Sequence, residues 1–173
     1  MNKLDKRLKL FIELLIVLVV INGCTVKYST TGASITEEMK TISVLYFPNR
    51  AEIVNPSLSS EFTEALKDKF ISQTKLEMIS EGGDLNFEGE ISQYYTRPAA
   101  IRGDETASLT RLTVGIKVVF TNDKDPEKNF ESTFSHYEDF DASQSLDQVE
   151  GELIPQILEK IIEDIFNRAV VNW

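Results

Sequence analysis

The sequence contains one cysteine, Cys24, and one histidine, His136. A lone thiol cannot form a disulfide within the chain, which excludes the disulfide framework of small secreted domains. A Ser-His or Cys-His mechanism would have to use His136, but this residue alternates in register with Phe130 and Phe134 on one predicted strand face. We therefore interpret His136 as a packed or rim residue and expect no catalytic triad.

Basic residues are also scarce, with 18 lysines and arginines against 28 aspartates and glutamates. Of these, 4 basic and 2 acidic residues lie in residues 1–23, so the rest of the chain has 14 basic and 26 acidic residues and a formal charge of −12. Nucleic-acid phosphates and anionic lipid surfaces both bind clusters of lysine and arginine. The acidic excess therefore argues against a nucleic-acid partner and against broad electrostatic binding to lipid.

Sequence motifs for phosphate or metal binding are missing, because the chain has no glycine-rich phosphate loop and no CxxC spacing. The acidic turn at residues 123–127 is followed by Lys128, where a calcium loop needs glycine. Glu88 and Glu90 share a strand face, as paired carboxylates of glycosidases do, but a solvated polar face is the simpler interpretation. We expect no enzyme activity, no metal and no cofactor.

The N-terminus combines a basic segment, a short apolar run and the cysteine. The apolar run at residues 10–21 is broken by one glutamate and is shorter than the roughly 20 residues that a spanning helix needs. Residues 21–24, Ile-Asn-Gly-Cys, then resemble a lipobox. We therefore expect residues 1–23 to be a cleaved signal peptide and Cys24 to carry covalent diacylglycerol and acyl lipid, which anchor the chain to a membrane. Residues 24–40 are expected to form the lipidated tether.

The remaining residues, 41–173, contain strand and helix patterns. Apolar residues recur at helical spacing from Leu58 to about Gln73, after the capping pair Asn55-Pro56, and again from Leu146 to Val170, after Ser145. Pro155 inside the second helix is expected to kink it or to divide it into two pieces. A short extended piece covers 76–79, and the strand patterns cover 41–47, 85–92, 112–120 and 130–136.

The order of these elements is β-α-β-β-β-α. Because the strands alternate between apolar and polar residues, one face of their sheet should be covered and the other solvated. We therefore predict an α+β domain built as a two-layer sandwich, with two helices on one face of a four-stranded mixed sheet. Residues 41–173 should form this single domain.

A predicted long connection at residues 94–111 is rich in arginine and tyrosine. It contains Arg97, Arg102 and Arg111, which outnumber its two carboxylates in an otherwise acidic domain. Arginine pairs bidentately with phosphate, so these three residues are candidate binding residues for a phosphorylated ligand. A mobile connector with ordinary arginines is the alternative interpretation, and the sequence leaves it open.

Several segments, distributed over nearly all of the chain after Cys24, resemble segments of a known protein family in the same order. They are Thr-Ile-Ser-Val at 41–44 with Tyr-Phe-Pro-Asn-Arg at 46–50, Phe-Thr-Glu-Ala-Leu-Lys-Asp-Lys-Phe at 62–70, Asp-Leu-Asn-Phe-Glu-Gly at 84–89, Lys-Asp-Pro-Glu-Lys at 124–128, and Asp-Ile-Phe-Asn at 164–167 with Ala-Val-Val-Asn-Trp at 169–173. Together with Cys24, they resemble the LptE family of lipopolysaccharide-assembly lipoproteins in the form found in Bacteroidota.

The resemblance implies a non-enzymatic lipoprotein that sits as a plug inside the LptD β-barrel, helps to assemble it and helps to deliver lipopolysaccharide to the outer leaflet. It also implies binding of lipopolysaccharide through basic residues, for which Arg97, Arg102 and Arg111 are the candidates. Residues 25–28 lack an acidic run resembling a surface-export signal, so we expect an outer-membrane anchor and a domain that faces the periplasm. A periplasm-facing accessory lipoprotein of another envelope transporter and a hydrolase using the paired glutamates are the alternatives.

The lipobox interpretation predicts the fate of a Cys24→Ala variant. Because acylation of the thiol precedes cleavage in this interpretation, the variant should accumulate as an uncleaved precursor and be lost from the outer-membrane fraction. Immunoblotting of fractionated cells measures both effects. Normal processing and normal outer-membrane fractionation of the variant would contradict the lipid anchor.

Overall fold

The structure, a computed structural model, describes residues 35–36, 38–99 and 109–170. Its elements are β1 (Thr41–Val44), α1 (Leu58–Gln73), β2 (Glu77–Ile79), β3 (Leu85–Pro98), β4 (Leu109–Asn122), a 3-10 turn (Pro126–Lys128), β5 (Phe130–Asp141) and α2 (Leu146–Val170). The predicted α+β class is confirmed. The predicted signal peptide, most of the tether, Cys24 and Arg102 lie outside the described residues.

The strands form one mixed sheet in the order β2-β1-β3-β4-β5. Strand β1 is parallel to both of its neighbours, whereas β3, β4 and β5 are successively antiparallel. The predicted number of four strands is wrong by one, because the extended piece at 76–79 pairs with β1 as an edge strand. Strand β2 has only three residues, too few for an alternating pattern to identify it.

Both helices cover the same face of the sheet, as predicted. Phe70 of α1 contacts both the sheet and the second helix, because its ring centroid lies 4.8 Å from that of Phe87 in β3 and 5.2 Å from that of Phe166 in α2. Phe87 in turn lies 4.7 Å from Phe120 in β4. Burial of each such side chain contributes about 1.5 to 3 kcal/mol to the free energy of unfolding. This aromatic cluster therefore holds the helical layer on the sheet.

Helix α2 is one continuous element from Leu146 to Val170, so the predicted division at Pro155 is wrong. Pro155 lies on the exposed side of the helix, where water can satisfy the Gly151 carbonyl that the missing N–H leaves without a donor. The predicted cap is present, since the Ser145 N–H donates to Oε1 of Gln148 at 3.0 Å. Neither described helix is long and apolar enough to cross a membrane.

Strands β3 and β4 are both longer than the sequence predicted. Strand β3 continues to Pro98 and β4 begins at Leu109, so the predicted long connection over 94–111 is wrong at both ends. A register shift between Ile91 and Gln93 leaves Ser92 as an extra residue. After this bulge, the positions of β3 that face the helices change from odd to even residue numbers. Because the alternation of apolar and polar residues is broken there, the sequence pattern predicted that the strand ends at this point.

Asp84 fastens the start of β3 to its neighbours. Its Oδ2 accepts hydrogen bonds from the backbone N–H groups of Lys40 (2.8 Å) and Thr41 (3.0 Å), and its Oδ1 lies 3.0 Å from Nζ of Lys124. The hydrogen bond from the Lys40 N–H has the largest effect and the Lys124 ammonium the next largest, and they hold the pKa of the Asp84 carboxyl well below its usual range. The carboxylate therefore stays charged far into the acidic range and keeps β1, β3 and β4 in register.

Tyr94 connects β3 to both the first helix and the second. Its side chain is buried, and its hydroxyl donates to Oε2 of Glu150 in α2 at 2.8 Å. The same oxygen accepts from Nδ2 of Asn55 at 3.1 Å, while Oδ1 of Asn55 accepts the Leu58 N–H at the start of α1. Burial, reinforced by the Glu150 carboxylate, raises the pKa of Tyr94 above its ordinary value, so the phenol stays protonated as the donor.

We therefore expect Tyr94→Phe to lower the free energy of unfolding by about 1.5 to 3 kcal/mol, the range for a hydrogen bond to a charged group. Urea denaturation of the two proteins measures this difference. The control is Tyr95→Phe, since Tyr95 is the next residue but lies on the opposite sheet face; its effect should stay within about 0.5 kcal/mol. Equal destabilisation by both substitutions would contradict the role assigned to the Tyr94 hydroxyl.

Candidate functional site

The sheet face opposite the helices carries the candidate site. Side chains alternate across a strand, so the residues that flank the buried positions of β3, β4 and β5 point away from the helices. At the Pro98 end of β3, Arg97 pairs in register with Arg111, and Arg111 with Asp139. Strand pairing therefore brings together two arginines that are distant in sequence.

A depression of about 430 Å³ lies at this end of the face. We call it the arginine–tyrosine pocket, and its lining residues are Tyr95, Arg97, Pro98, Ala99, Arg111, Thr113 and Tyr137. Tyr95, Thr113 and Tyr137 are register partners in one row across the three strands. Two aromatic rings and two guanidinium groups thus lie around one opening.

Arg111 is fixed by two interactions. Its Nε and Nη2 donate to the two carboxylate oxygens of Asp139 at 2.7 and 2.9 Å, and its guanidinium carbon lies 3.5 Å from the ring centroid of Tyr137. Hydrogen bonding between the two groups raises the pKa of Arg111 and lowers that of Asp139. The guanidinium is therefore held in one orientation, with its remaining N–H groups available to a ligand.

Arg97 supplies the second positive charge. Its guanidinium carbon lies 4.6 Å from the ring centroid of Tyr95, and the residue is exposed. No carboxylate of the described residues forms an ion pair with Arg97. Like charges directly opposite each other on neighbouring strands repel. Asp139 neutralises one of the two guanidinium groups, so one net positive charge remains at this place for an anionic ligand.

The side chains that line the pocket are suited to binding an anionic ligand. Guanidinium groups form charge-assisted, bidentate hydrogen bonds with phosphate or carboxylate, and tyrosine rings add apolar contact beside a hydroxyl group. The pocket therefore suits a phosphorylated amphiphile, of which the phosphate contacts the arginines and an apolar part contacts the rings.

Of the residues predicted from sequence, Arg97 and Arg111 are brought together, although in paired strands rather than in a loop. Tyr94, from the same segment, faces the helices and is buried. Sequence reasoning missed Tyr137, which lines the pocket from β5, and Asp139, which binds Arg111 from the same strand. The hairpin register would have identified them, since it places Tyr137 opposite Thr113 and Asp139 opposite Arg111.

The residues considered for catalysis are not assembled into a site. Glu88 and Glu90 line a second, shallow depression of about 350 Å³ on the same face as the arginine–tyrosine pocket. His136 projects from the other face, where its Nε2 lies 2.6 Å from Oδ2 of Asp164 in α2. Within the part of the chain that the structure describes, no group of three or more His, Cys, Asp or Glu residues could hold a metal ion.

Sequence comparison connects the domain to one protein family. The model of the LptE family, described as lipopolysaccharide-assembly, matches residues 39–169. This range extends from just before β1 to the last turn of α2. No curated protein shows significant sequence similarity to the chain.

Solved structures share the fold at low sequence identity. The hypothetical protein CT253 from Chlamydia trachomatis has a TM-score of 0.54 and 13% identity, covering 78% of this chain and 99% of its own. A minor lipoprotein from Acinetobacter baumannii has a TM-score of 0.47 and 10% identity, covering 71% of this chain and 91% of its own. The similarity to CT253 supports the two-layer α+β architecture and nothing more specific.

Proposed function

We infer that this chain, which belongs to the LptE family of lipopolysaccharide-assembly proteins, is the lipoprotein component of the outer-membrane lipopolysaccharide translocon. In this role it acts as plug and assembly factor for the LptD β-barrel and binds lipopolysaccharide. The observation that carries the proposal is the extent of the family match, residues 39–169. That range contains every strand, all of α1 and all but the last residue of α2, which supports assigning the proposed role to the whole domain.

The arginine–tyrosine pocket supports the binding part of the proposal. Lipopolysaccharide combines phosphate groups with an apolar region, which are the two chemistries that the pocket can contact. Arg97 and Arg111 would bind phosphate, and the rings of Tyr95 and Tyr137 would contact the apolar part. Arg102 belongs to the same connection between β3 and β4 and stays in the proposed set. Nothing in this arrangement requires a nucleophile, a metal or a cofactor.

The proposed membrane attachment is the lipid on Cys24, with the domain facing the periplasm. The formal charge of −12 after residue 23 disfavours attachment to anionic lipid through the protein surface. Covalent acyl chains avoid this repulsion, because each buried methylene contributes about 0.8 kcal/mol irrespective of protein charge. The lipid thus holds an acidic domain next to the barrel in which it acts.

Co-purification tests the proposed partner. The affinity-tagged, processed lipoprotein, taken from detergent-solubilised outer membranes, should carry a large β-barrel protein in a ratio close to one to one. Mass spectrometry identifies that protein, and a Cys24→Ala precursor, expected to stay outside the outer membrane, serves as the control. Recovery of the lipoprotein alone, or with inner-membrane transporter subunits, would favour an accessory lipoprotein of another transporter.

Substitution of the arginines tests the binding site. We expect Arg97→Ala/Arg102→Ala/Arg111→Ala to weaken lipopolysaccharide binding by about tenfold or more, because one charge-assisted hydrogen bond contributes about 1.5 to 3 kcal/mol and 1.4 kcal/mol is tenfold. Titration at two salt concentrations measures the loss, and the variant should show the smaller salt dependence.

The matched control for this titration removes the same number of charges elsewhere. Arg50→Ala/Lys67→Ala/Lys128→Ala changes residues outside the pocket and should leave affinity within about twofold, since exposed charges contribute little. Equal losses in both triple variants would show a general charge effect and remove Arg97, Arg102 and Arg111 from the binding site.

A further inference from the structure

A groove lies between the two helices and does not involve the arginine–tyrosine pocket. It has a volume of about 760 Å³ and is lined by Glu61 to Ser72 of α1 and Pro155 to Glu163 of α2. The lining residues recur at three- and four-residue spacing in each helix, so each helix contributes one continuous stripe. We call this feature the interhelical groove.

The bottom of the interhelical groove is apolar. Leu158 and Ile162 are almost covered, with 4% and 5% of their surfaces exposed, and Ala65 is half-buried beside them. The small side chain of Ala65 leaves space that a larger residue would fill. These residues offer apolar contact to an incoming side chain.

The rim of the groove is acidic. Its carboxylates are Glu61, Glu64, Asp68, Glu159 and Glu163. The lining cation, Lys69, is bound to Glu163 and holds the pKa of that carboxyl below its usual value. Glu64 is bound to Lys67 at 2.8 Å. The other three carboxylates, Glu61, Asp68 and Glu159, form no ion pair with any residue in the described ranges.

We propose that the interhelical groove is the docking site of a basic amphipathic α-helix contributed by a partner protein. Its apolar residues would lie on Ala65, Leu158 and Ile162, and its lysines or arginines would face the carboxylates of the rim. The stripe on α1 runs from Glu61 to Ser72, about 17 Å at 1.5 Å per residue. The docked helix therefore needs about three turns.

A helix fits this groove better than an extended segment does. Both walls are α-helices, whose backbone N–H and C=O groups are already paired within each helix. An extended peptide placed there would find no ladder partners for its own backbone, whereas a helix satisfies its backbone internally. The apolar stripes between the ridges of two helices are also the surface on which a third helix packs.

Charge argues against a second copy of this chain as the occupant. The exposed positions of α2 include Glu152, Glu159, Glu163 and Asp164 against Lys160 and Arg168, so a second copy would place acidic residues against an acidic rim. The proposal is independent of lipopolysaccharide binding, because the groove and the arginine–tyrosine pocket lie on opposite sides of the sheet and share no residue.

The test uses the processed full-length lipoprotein in non-ionic detergent and a fluorescein-labelled peptide of three heptads, with leucine at positions a and d and lysine elsewhere. The comparison peptide has the same composition but distributes its leucines around the helix. Fluorescence anisotropy should show saturable one-to-one binding of the amphipathic peptide and at least tenfold weaker binding of the comparison peptide. Equal binding of both peptides would overturn the proposal.

Variants of the chain locate the binding. Ala65→Trp, which fills the groove, and Asp68→Lys/Glu159→Lys, which reverses its charge, should each weaken peptide binding at least tenfold. The control Asp123→Lys/Glu127→Lys makes the same change of charge in the turn between β4 and β5 and should change binding less than twofold. Because Asp68 and Glu159 are exposed, their variant stays folded even if Ala65→Trp does not. An equal loss in the control variant, or unchanged binding of the charge-reversed groove, would overturn the assignment.

A cross-linking experiment identifies the natural occupant. A benzophenone amino acid at Ser72, at the end of the groove, should form a cross-link in cells to a segment of another protein that is basic and amphipathic when drawn as a helix. Mass spectrometry of the cross-linked peptide gives its sequence. A cross-link to an acidic segment or to a second copy of this chain would overturn the proposal.

Discussion

The burial of one sheet face by two helices is the constraint on which the other features depend. Phe70, Phe87 and Phe166 bring helix, strand and helix together at one point, and Tyr94 repeats the connection through Glu150 at the other end of the layer. Because both helices are on one side, the outward side chains of β3, β4 and β5 lie on a face that neither of the two described helices covers. The inward and outward alternation of each strand therefore decides on which side of the sheet each candidate residue lies.

This one-sided arrangement separates two surfaces of opposite charge. The uncovered face ends in the arginine–tyrosine pocket, where Arg97 and Arg111 are register partners. The helical layer contains the interhelical groove, whose rim carries five carboxylates. The chain has a formal charge of −10, so an acidic rim by itself would not set the interhelical groove apart. The apolar residues at the bottom of the groove do. The sheet keeps the two surfaces apart.

The same separation accounts for the absence of a catalytic arrangement among the described residues. His136 points toward α2 and is bound to Asp164, whereas Glu88 and Glu90 point from the other face. A sheet lies between the histidine and the glutamates, so they cannot act on one substrate. Other close polar groups, such as Asp84 with the Lys40 N–H and the Lys124 ammonium, hold strands in register.

The local pattern of the sequence determined the class of fold, the cap at Ser145 and the one-sided sheet, because periodicity and capping act over a few residues. Tertiary structure alone decided what depends on distant partners. Three-residue β2 becomes a strand only by pairing with β1, and the bulge at Ser92 lets β3 continue past the point where alternation fails. Tyr137 and Asp139 join the arginines through the β4–β5 register, and the interhelical groove exists only where the two stripes meet. Local periodicity predicts which side chains share a face within an unbroken stretch, whereas strand register and the packing of the layers decide which of them meet.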